Sequence, residues 1–285
     1  MGRPVFFCEN LLSRRTFPDH TLTASSTETG LDVAFVATGR RQRSLNRWSS
    51  SAYNTAAYVQ CVFDRVRAFD HLALDRGHNL DGETVQVLVS SDGFTTYTTA
   101  GSATIPSQVF PYSNLDDGLP IRTEEGAILW RLGQHMGSSV RLYFPAMGAG
   151  LKPEVVGAYL GMAFIPTHAA QKPWSHGKVR LLYDVERSPQ AWAAAGEIGK
   201  LRVGSVELLL SSRTEYASAR YHIEGLYFAR KPMWLAMDDE EAEKARLVVC
   251  PPGDAGFEVS GNWSEYRGTI PFEEHEPALI GGGVT

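Results

Sequence analysis

The segment Thr84–Ser90 most constrains the fold, because polar and apolar residues alternate along it. Val85, Val87 and Val89 recur every second residue, which is typical of a strand with one buried face. Their β-branched side chains further favour the extended backbone. An Asp-Gly pair lies at either end of the segment, where a turn is expected. The sequence therefore predicts a strand of an antiparallel sheet.

Neighbouring runs indicate more strands of the same kind. Phe69–Leu74 precedes this strand and Phe94–Thr99 can return beside it, so Phe69–Phe94 is predicted to form adjacent strands of an antiparallel β-sandwich. Apolar runs predict further strands at Tyr58–Phe63, which Asp64 is expected to end, at Ala127–Leu132 and at Val140–Phe144. Between the strands, Gly101–Gly126 is long and rich in turn residues, as functional or partner-facing loops often are.

The second part of the chain mixes strands with short helices. A helical stripe is expected to begin at an N-cap, Thr214, and to end before Pro232; its apolar face consists of Ala219, Ile223, Leu226 and Tyr227. A second short helix is expected from Asp238 to Arg246. Strands are expected at Val179–Val185, Ser205–Ser211, Met233–Met237, Leu247–Val249 and Trp263–Phe272.

The length of 285 residues suits two domains of ordinary size. Pro166–Gly177 has the composition of a linker, so we predict a β-sandwich over residues 1–165, a linker over 166–177 and a smaller β-rich domain over 178–285. The predicted fold class is mainly β, with one or two short helices in the second domain.

The formal net charge of -5 gives no general attraction to nucleic acid or anionic lipid. We also expect no membrane insertion and no secretory signal, because the apolar runs are too short. Arg40–Arg43 is a local basic exception that fits either a solvated loop or a contact with a polyanion or subunit. In the case of a subunit contact, the basic segment Arg40–Arg47 is predicted to meet the acidic segment Asp238–Glu243 across the interface.

Cysteine and histidine residues give no metal or disulfide pattern. The three cysteines, Cys8, Cys61 and Cys250, are widely separated, so each is expected to be a buried small apolar residue. None of the eight histidines has a second ligand at a metal-binding spacing. His78, in a turn-rich loop, is expected to bond to the loop backbone rather than to act as a ligand or base.

The search for catalytic groups gives only loop carboxylates. There is no nucleophile elbow, phosphate-binding loop or dinucleotide fingerprint. Asp116, Asp117, Glu124 and Glu125 are the acids that a glycosidase would need, but adjacent acids in a loop are far more often solvated. We therefore assign no catalytic, cofactor-binding or metal-binding residue and expect a non-enzymatic protein without a cofactor.

The tryptophans divide into two groups. Trp130 and Trp234 lie in apolar strands and are expected in the core. A glycan-binding platform requires exposed aromatic rings, and Trp174 and Trp192 lie near loops, where a subunit contact or a ligand site is the expected use. Whether Trp48 is exposed decides whether it can form part of such a platform.

Arg67–Leu80 resembles a stretch common in tail proteins of tailed bacteriophages. In those proteins an apolar strand runs into a His-Asn-Leu loop, followed by a strand such as Thr84–Ser90 and a Ser-Asp-Gly turn. The order is also similar to discoidin-like, galactose-binding-like jelly rolls, in which a tryptophan such as Trp48 precedes a strand such as Tyr58–Phe63. The resemblance covers about residues 1–165 and implies a jelly-roll sandwich.

Lys231–Leu235 and Ile270–Glu274 look like the C-terminal regions of phage tail proteins. The resemblance implies a structural virion component near the tail tip, made in the host cytoplasm. Its implied partners are copies of itself and neighbouring tail proteins, in a ring or around a hub. The alternative is a carbohydrate-binding module that recognises host envelope glycans, and the third hypothesis is a glycan-cleaving enzyme.

Overall fold

The computed structural model describes residues 2–13, 19–38, 47–148, 150–168, 178–187, 193–227, 231–251, 256–259, 266–274 and 278–279. The side chains of residues 178–201, 256–259, 266 and 278–279 lie outside this description. Among the described residues, no helix has the length and apolar character that crossing a membrane requires.

The described strands, in chain order, are β1 (Val5–Phe7), β2 (His20–Ala24), β3 (Trp48–Ser49), β4 (Ala57–Leu74), β5 (Thr84–Ser90), β6 (Thr98–Thr104), β7 (Ile121–Arg122), β8 (Ile128–Phe144), β9 (Glu154–Val155), β10 (Ala158–Gly161), β11 (Lys178–Arg187), β12 (Ala193–Leu210), β13 (Met233–Ala236), β14 (Arg246–Val249), β15 (Gly256–Val259), β16 (Tyr266–Glu274) and β17 (Ala278–Leu279). The α-helices are α1 (Phe35–Thr38) and α2 (Arg213–Ala219), the 3₁₀ helices are Leu115–Asp117 and Asp239–Lys244, and Arg220–Tyr227 is a π-helix.

The first sheet is antiparallel in the order β10-β4-β8-β5-β6, with β2 on β4 and β7 on β8. The pairing of the long strands β4 and β8 shifts in register between Val62 and Arg67 and between Phe69 and His71 of β4. Bulges let a strand pass from one layer of a sandwich into the other. Residues from both halves of β4 and β8 share one hydrophobic core, so the two halves face each other as the layers of a sandwich.

The predicted mainly β, antiparallel fold class is confirmed, but three details of the prediction are wrong. Asp64 does not end a strand, because β4 continues through the irregular stretch to Leu74. Likewise, one strand, β8, spans both of the runs predicted separately between Ala127 and Phe144. The strands of Phe69–Phe94 share a sheet but are not neighbours, since β8 lies between β4 and β5.

The second sheet has the antiparallel order β1-β13-β14-β16-β12-β11, with β15 on β16 and β17 on β12. Its first strand comes from the N-terminus, where Val5 pairs with Ala236. One face packs against the sandwich, with Trp234 edge-on to Tyr159 at a ring distance of 6.2 Å. The division at residue 165 stays a prediction, and residues 169–177 of the predicted linker lie outside the described residues.

The predicted helical stripe covers the other face of the second sheet. Ala219, Ile223, Leu226 and Tyr227 are buried in its core, as expected from their spacing. The N-cap is Ser212 rather than Thr214, because the Ser212 hydroxyl accepts the Glu215 N–H at 3.1 Å. The expected helix after Asp238 is present as the 3₁₀ helix Asp239–Lys244, which Asp238 caps.

Candidate functional site

The connection between β6 and β7 runs beside β6, the last strand in the order of the first sheet. Two adjacent hollows of about 530 Å³ and about 550 Å³ lie between this connection and the strand. Ser102, Ala103 and Leu119 line both hollows, so together they form one elongated depression. We call it the loop groove.

The floor of the loop groove is held by packing and by a hydrogen bond from Trp130. Its indole N–H donates to the Gly118 carbonyl at 3.0 Å. Gly101 of β6 lies directly over the Trp130 ring, and a Cβ at that position would come within 2.7 Å of it. Asn114 caps the 3₁₀ helix Leu115–Asp117 by accepting the Asp116 N–H at 2.8 Å. These contacts give the groove a defined shape.

Large exposed apolar side chains stand beside the groove. Phe110 lines one hollow and is 59% exposed, Leu119 is 61% exposed, and Tyr112 is 78% exposed. We call Phe110 and Tyr112 the aromatic tip. Polar side chains on the groove wall add hydroxyl, amide and carboxylate groups: Ser102, Thr104, Ser113, Asn114 and Asp117. An apolar surface with a few converging polar groups is typical of a binding site for a small molecule.

Three of the four carboxylates considered for a glycosidase make ion pairs with arginine. Asp116 contacts both Arg3 and Arg131. Glu124 lies 2.6 Å and Glu125 3.4 Å from Arg246. The fourth, Asp117, is exposed on the groove wall. Arginine pairing fits a role in fixing the loop to its surroundings better than a role in proton transfer.

The loop at Gly77–Leu80 has the structural role expected from the sequence. The Nδ1 atom of His78 accepts the Leu80 N–H at 3.2 Å, and burial lowers the pKa of His78 to about 4. Asn79 donates to the Lys152 carbonyl at 2.9 Å and accepts the Glu154 N–H at 2.8 Å. Leu80 is fully buried. The prediction that His78 structures this loop is confirmed.

The buried histidines and cysteines form no metal site in the described part of the chain. His71 Nδ1 lies 2.6 Å from Asp70, whose carboxylate also accepts the Ala163 N–H at 2.9 Å. Burial lowers the pKa of His222 to about 4, and this ring stacks on Phe164. All three cysteines are buried and unpaired with one another, as predicted.

The tryptophans do not supply an exposed platform among the described residues. Trp130 and Trp234 are in the core, as predicted, and Trp48 is also fully buried, with its indole N–H donating to the Ser26 carbonyl at 3.2 Å. Trp174 and Trp192 lie outside the described residues.

Sequence reasoning singled out the Gly101–Gly126 loop but missed the aromatic tip. The signal within the loop was the pair of aromatic residues among prolines and polar residues.

The acidic segment Asp238–Glu243 is used within the chain. Asp239 accepts the Arg3 N–H at 2.7 Å, and the Glu243 carboxylate accepts two backbone N–H groups of the β6–β7 connection. Glu240 of the same segment is exposed, so the contact with Arg40–Arg47 stays a prediction. The basic residues of that contact lie outside the described residues, except for Arg47, which pairs with Glu154 at 3.2 Å.

No protein-family model and no curated protein matches this chain. Three of the similar solved structures each match about half of it. A chitosan-binding module of a Paenibacillus chitosanase/glucanase is 16% identical, with a TM-score of 0.38 over 53% of this chain and 98% of that chain. A family 32 carbohydrate-binding module from Clostridium perfringens, in complex with galactose, is 10% identical, with a TM-score of 0.38 over 55% and 98%.

A Ruminococcus gnavus fucosidase is 11% identical, with a TM-score of 0.41 over 55% of this chain and 27% of that chain. Because all three TM-scores are below 0.5, we base the function on this chain's own side chains.

Proposed function

We propose that this protein binds carbohydrate without cleaving it, and that the sugar lies in the loop groove against the aromatic tip. The observation that carries the proposal is the exposure of Phe110, which lines a groove with polar walls, and of Tyr112, which directly precedes the groove-lining Ser113. Sugar rings combine apolar C–H faces with hydroxyl groups. They therefore suit a site that pairs an aromatic face with hydroxyl, amide and carboxylate groups.

The length of the groove supports an oligosaccharide rather than a single sugar. The two hollows adjoin at Ser102, Ala103 and Leu119, so a ligand of more than one ring can contact both. The side chains of Ser113 and Asn114 line the first hollow, while Trp130 and Arg131 line the second. A glycan of a host surface, as the sequence resemblance implies, is a ligand of this kind.

A glycan array, followed by calorimetric titration with galactose, fucose and a chitosan hexamer, tests the proposal. We expect measurable binding to at least one of these glycans and a loss of about tenfold or more in affinity for Phe110→Ala and Tyr112→Ala. No binding to any glycan by the intact chain overturns the proposal. Conversion of a bound glycan to shorter products would show that the protein is an enzyme.

A second candidate function is structural assembly in a phage tail, at the tail tip of the virion. Exposed apolar residues on the β4–β8 ladder favour it: Met136 is 63% and Val66 50% exposed. Such residues suit a contact with another copy or with a neighbouring tail protein. Mass spectrometry of purified particles tests this role, and absence of the chain from the particles would exclude it.

A further inference from the structure

A carboxylate from the second part of the chain holds the aromatic tip of the loop groove. Glu243 belongs to the 3₁₀ helix Asp239–Lys244 and is buried. Its Oε1 atom accepts the Tyr112 N–H at 3.1 Å, and its Oε2 atom accepts the Ser113 N–H at 3.1 Å. One side chain therefore fixes two consecutive backbone amides through charge-assisted hydrogen bonds.

The backbone of Tyr112 requires such support. Its φ of 59° lies in the left-handed region, which residues with a Cβ rarely adopt. Strained conformations of this kind persist only where surrounding contacts hold them, and they cluster at ligand-binding sites. Tyr112, which adopts this conformation, also has the most exposed side chain among the large apolar residues described.

Neighbouring backbone bonds join the same helix and loop. Ala242 N–H donates to the Ser113 carbonyl at 3.0 Å, and Glu124 N–H donates to the Glu243 carbonyl at 2.8 Å. Within the loop, the Ser113 hydroxyl donates to the Phe110 carbonyl at 2.6 Å. The helix therefore bonds to the chain before β7, at Ser113, and after β7, at Glu124. The Ser113 hydroxyl in turn links this contact to the backbone of Phe110.

We propose that Glu243 is a positioning residue for the loop groove, which fixes the direction in which the Tyr112 ring meets the glycan. The inference rests on the proposed function, because it concerns the same groove. It makes the second part of the chain a component of the binding site, although every residue that contacts the sugar belongs to the first part.

The variant Glu243→Gln tests this role, because its amide nitrogen cannot accept a backbone N–H. The control is Glu240→Gln, which changes an exposed carboxylate on the same helix. We expect hydrogen exchange at the Tyr112 and Ser113 amides to rise about tenfold in Glu243→Gln, with affinity for the chitosan hexamer, galactose or fucose falling about fivefold to tenfold. Both should be unchanged in the control.

A double-mutant cycle with Tyr112→Ala separates positioning from general destabilisation. If Glu243 acts through the Tyr112 ring, adding Glu243→Gln to Tyr112→Ala lowers affinity no further. Additive losses, or unchanged exchange at the two amides, overturn the proposal. Should circular dichroism show that Glu243→Gln is unfolded, Glu243→Asp, whose shorter carboxylate reaches the amides less well, is measured instead. Hydrogen exchange measured without sugar tests the role of Glu243 by itself. The absence of binding to any glycan of the array would instead overturn the proposed function.

Discussion

Two loops of the same sandwich use their side chains in opposite ways. In Gly77–Leu80, His78 and Asn79 bond to backbone within the protein, and Leu80 fills the core. In the β6–β7 connection, Phe110 and Tyr112 are exposed, and Phe110 lines the loop groove. The first loop therefore stabilises the sandwich, while the second leaves large aromatic side chains exposed.

This difference shows that a recognisable motif can indicate the fold without indicating the binding site. The Gly77–Leu80 loop carries the sequence resemblance, yet all of its described contacts serve the scaffold. The β6–β7 connection carries no motif, yet it holds the exposed aromatic residues. A scaffold motif identifies the fold that a chain shares with others, whereas loops grafted on the scaffold determine what each protein binds.

The largest expected effect is on stability, and it differs between Leu80 of the first loop and Leu119 of the second. Leu80→Ala empties a fully buried position and should lower the free energy of unfolding by about 2–5 kcal/mol. Leu119→Ala removes a side chain that is 61% exposed and should change stability by no more than about 0.5 kcal/mol, while weakening glycan binding. Urea unfolding of both variants measures the difference. Equal losses of stability would contradict the division between the loops.

Lowering the pH should destabilise the fold at the Gly77–Leu80 loop, because His78 becomes protonated. Because burial lowers its folded pKa from 6.5 to about 4, the unfolded chain binds a proton at this residue more readily. With respect to His78, the free energy of unfolding is therefore highest above about pH 6.5. It falls by about 3 kcal/mol as the pH decreases towards 4.

Unfolding free energies measured from pH 7 to pH 4 test this prediction. His78→Gln should flatten the dependence on pH, because glutamine does not titrate. The exposed His168 gives a matched control, since His168→Gln should leave the dependence as it is. The assignment fails if both variants follow the same curve as the original chain.

A smaller effect is expected for the asparagines of the two loops. Asn79→Ala removes hydrogen bonds to the Lys152 carbonyl and the Glu154 N–H, with an expected loss of about 1–3 kcal/mol. Asn114→Ala removes one cap bond of a 3₁₀ helix and should cost about 1 kcal/mol, with a clear loss of glycan affinity. Thermal unfolding and calorimetric titration of both variants measure the two effects. A loss of glycan affinity in Asn79→Ala but not in Asn114→Ala would contradict the assignment of binding to the β6–β7 connection.

Local patterns predicted the strands but not their partners. The alternation of Thr84–Ser90 identified β5 and its buried valines, because a period of two residues is a local property. Asp64 was taken as a strand end since a charged residue interrupts the apolar run, and only the ladder with β8 reveals that β4 continues. The pairing of β1 with β13 joins the first strand to a strand of the second part of the chain, which no local pattern encodes.

The candidate site was predictable only as a loop. Its length and its prolines indicated a functional segment, but the exposure of Phe110 and Tyr112 depends on where the loop packs. The sequence predicts Glu243 only as part of a short acidic helix that contacts another subunit. Its contact with Tyr112 links residues 131 positions apart, so the sequence contains no signal for it.

The most direct test of the sugar-binding groove compares two exposed tyrosines. Tyr112 belongs to the aromatic tip, whereas Tyr53 lies in a different loop, beside Lys152. Calorimetric titration of the chitosan hexamer, galactose and fucose into Tyr112→Ala and Tyr53→Ala should give a loss of affinity of about tenfold or more for the first variant only. Full affinity in Tyr112→Ala together with a loss in Tyr53→Ala would contradict the account and move the binding site away from the loop groove.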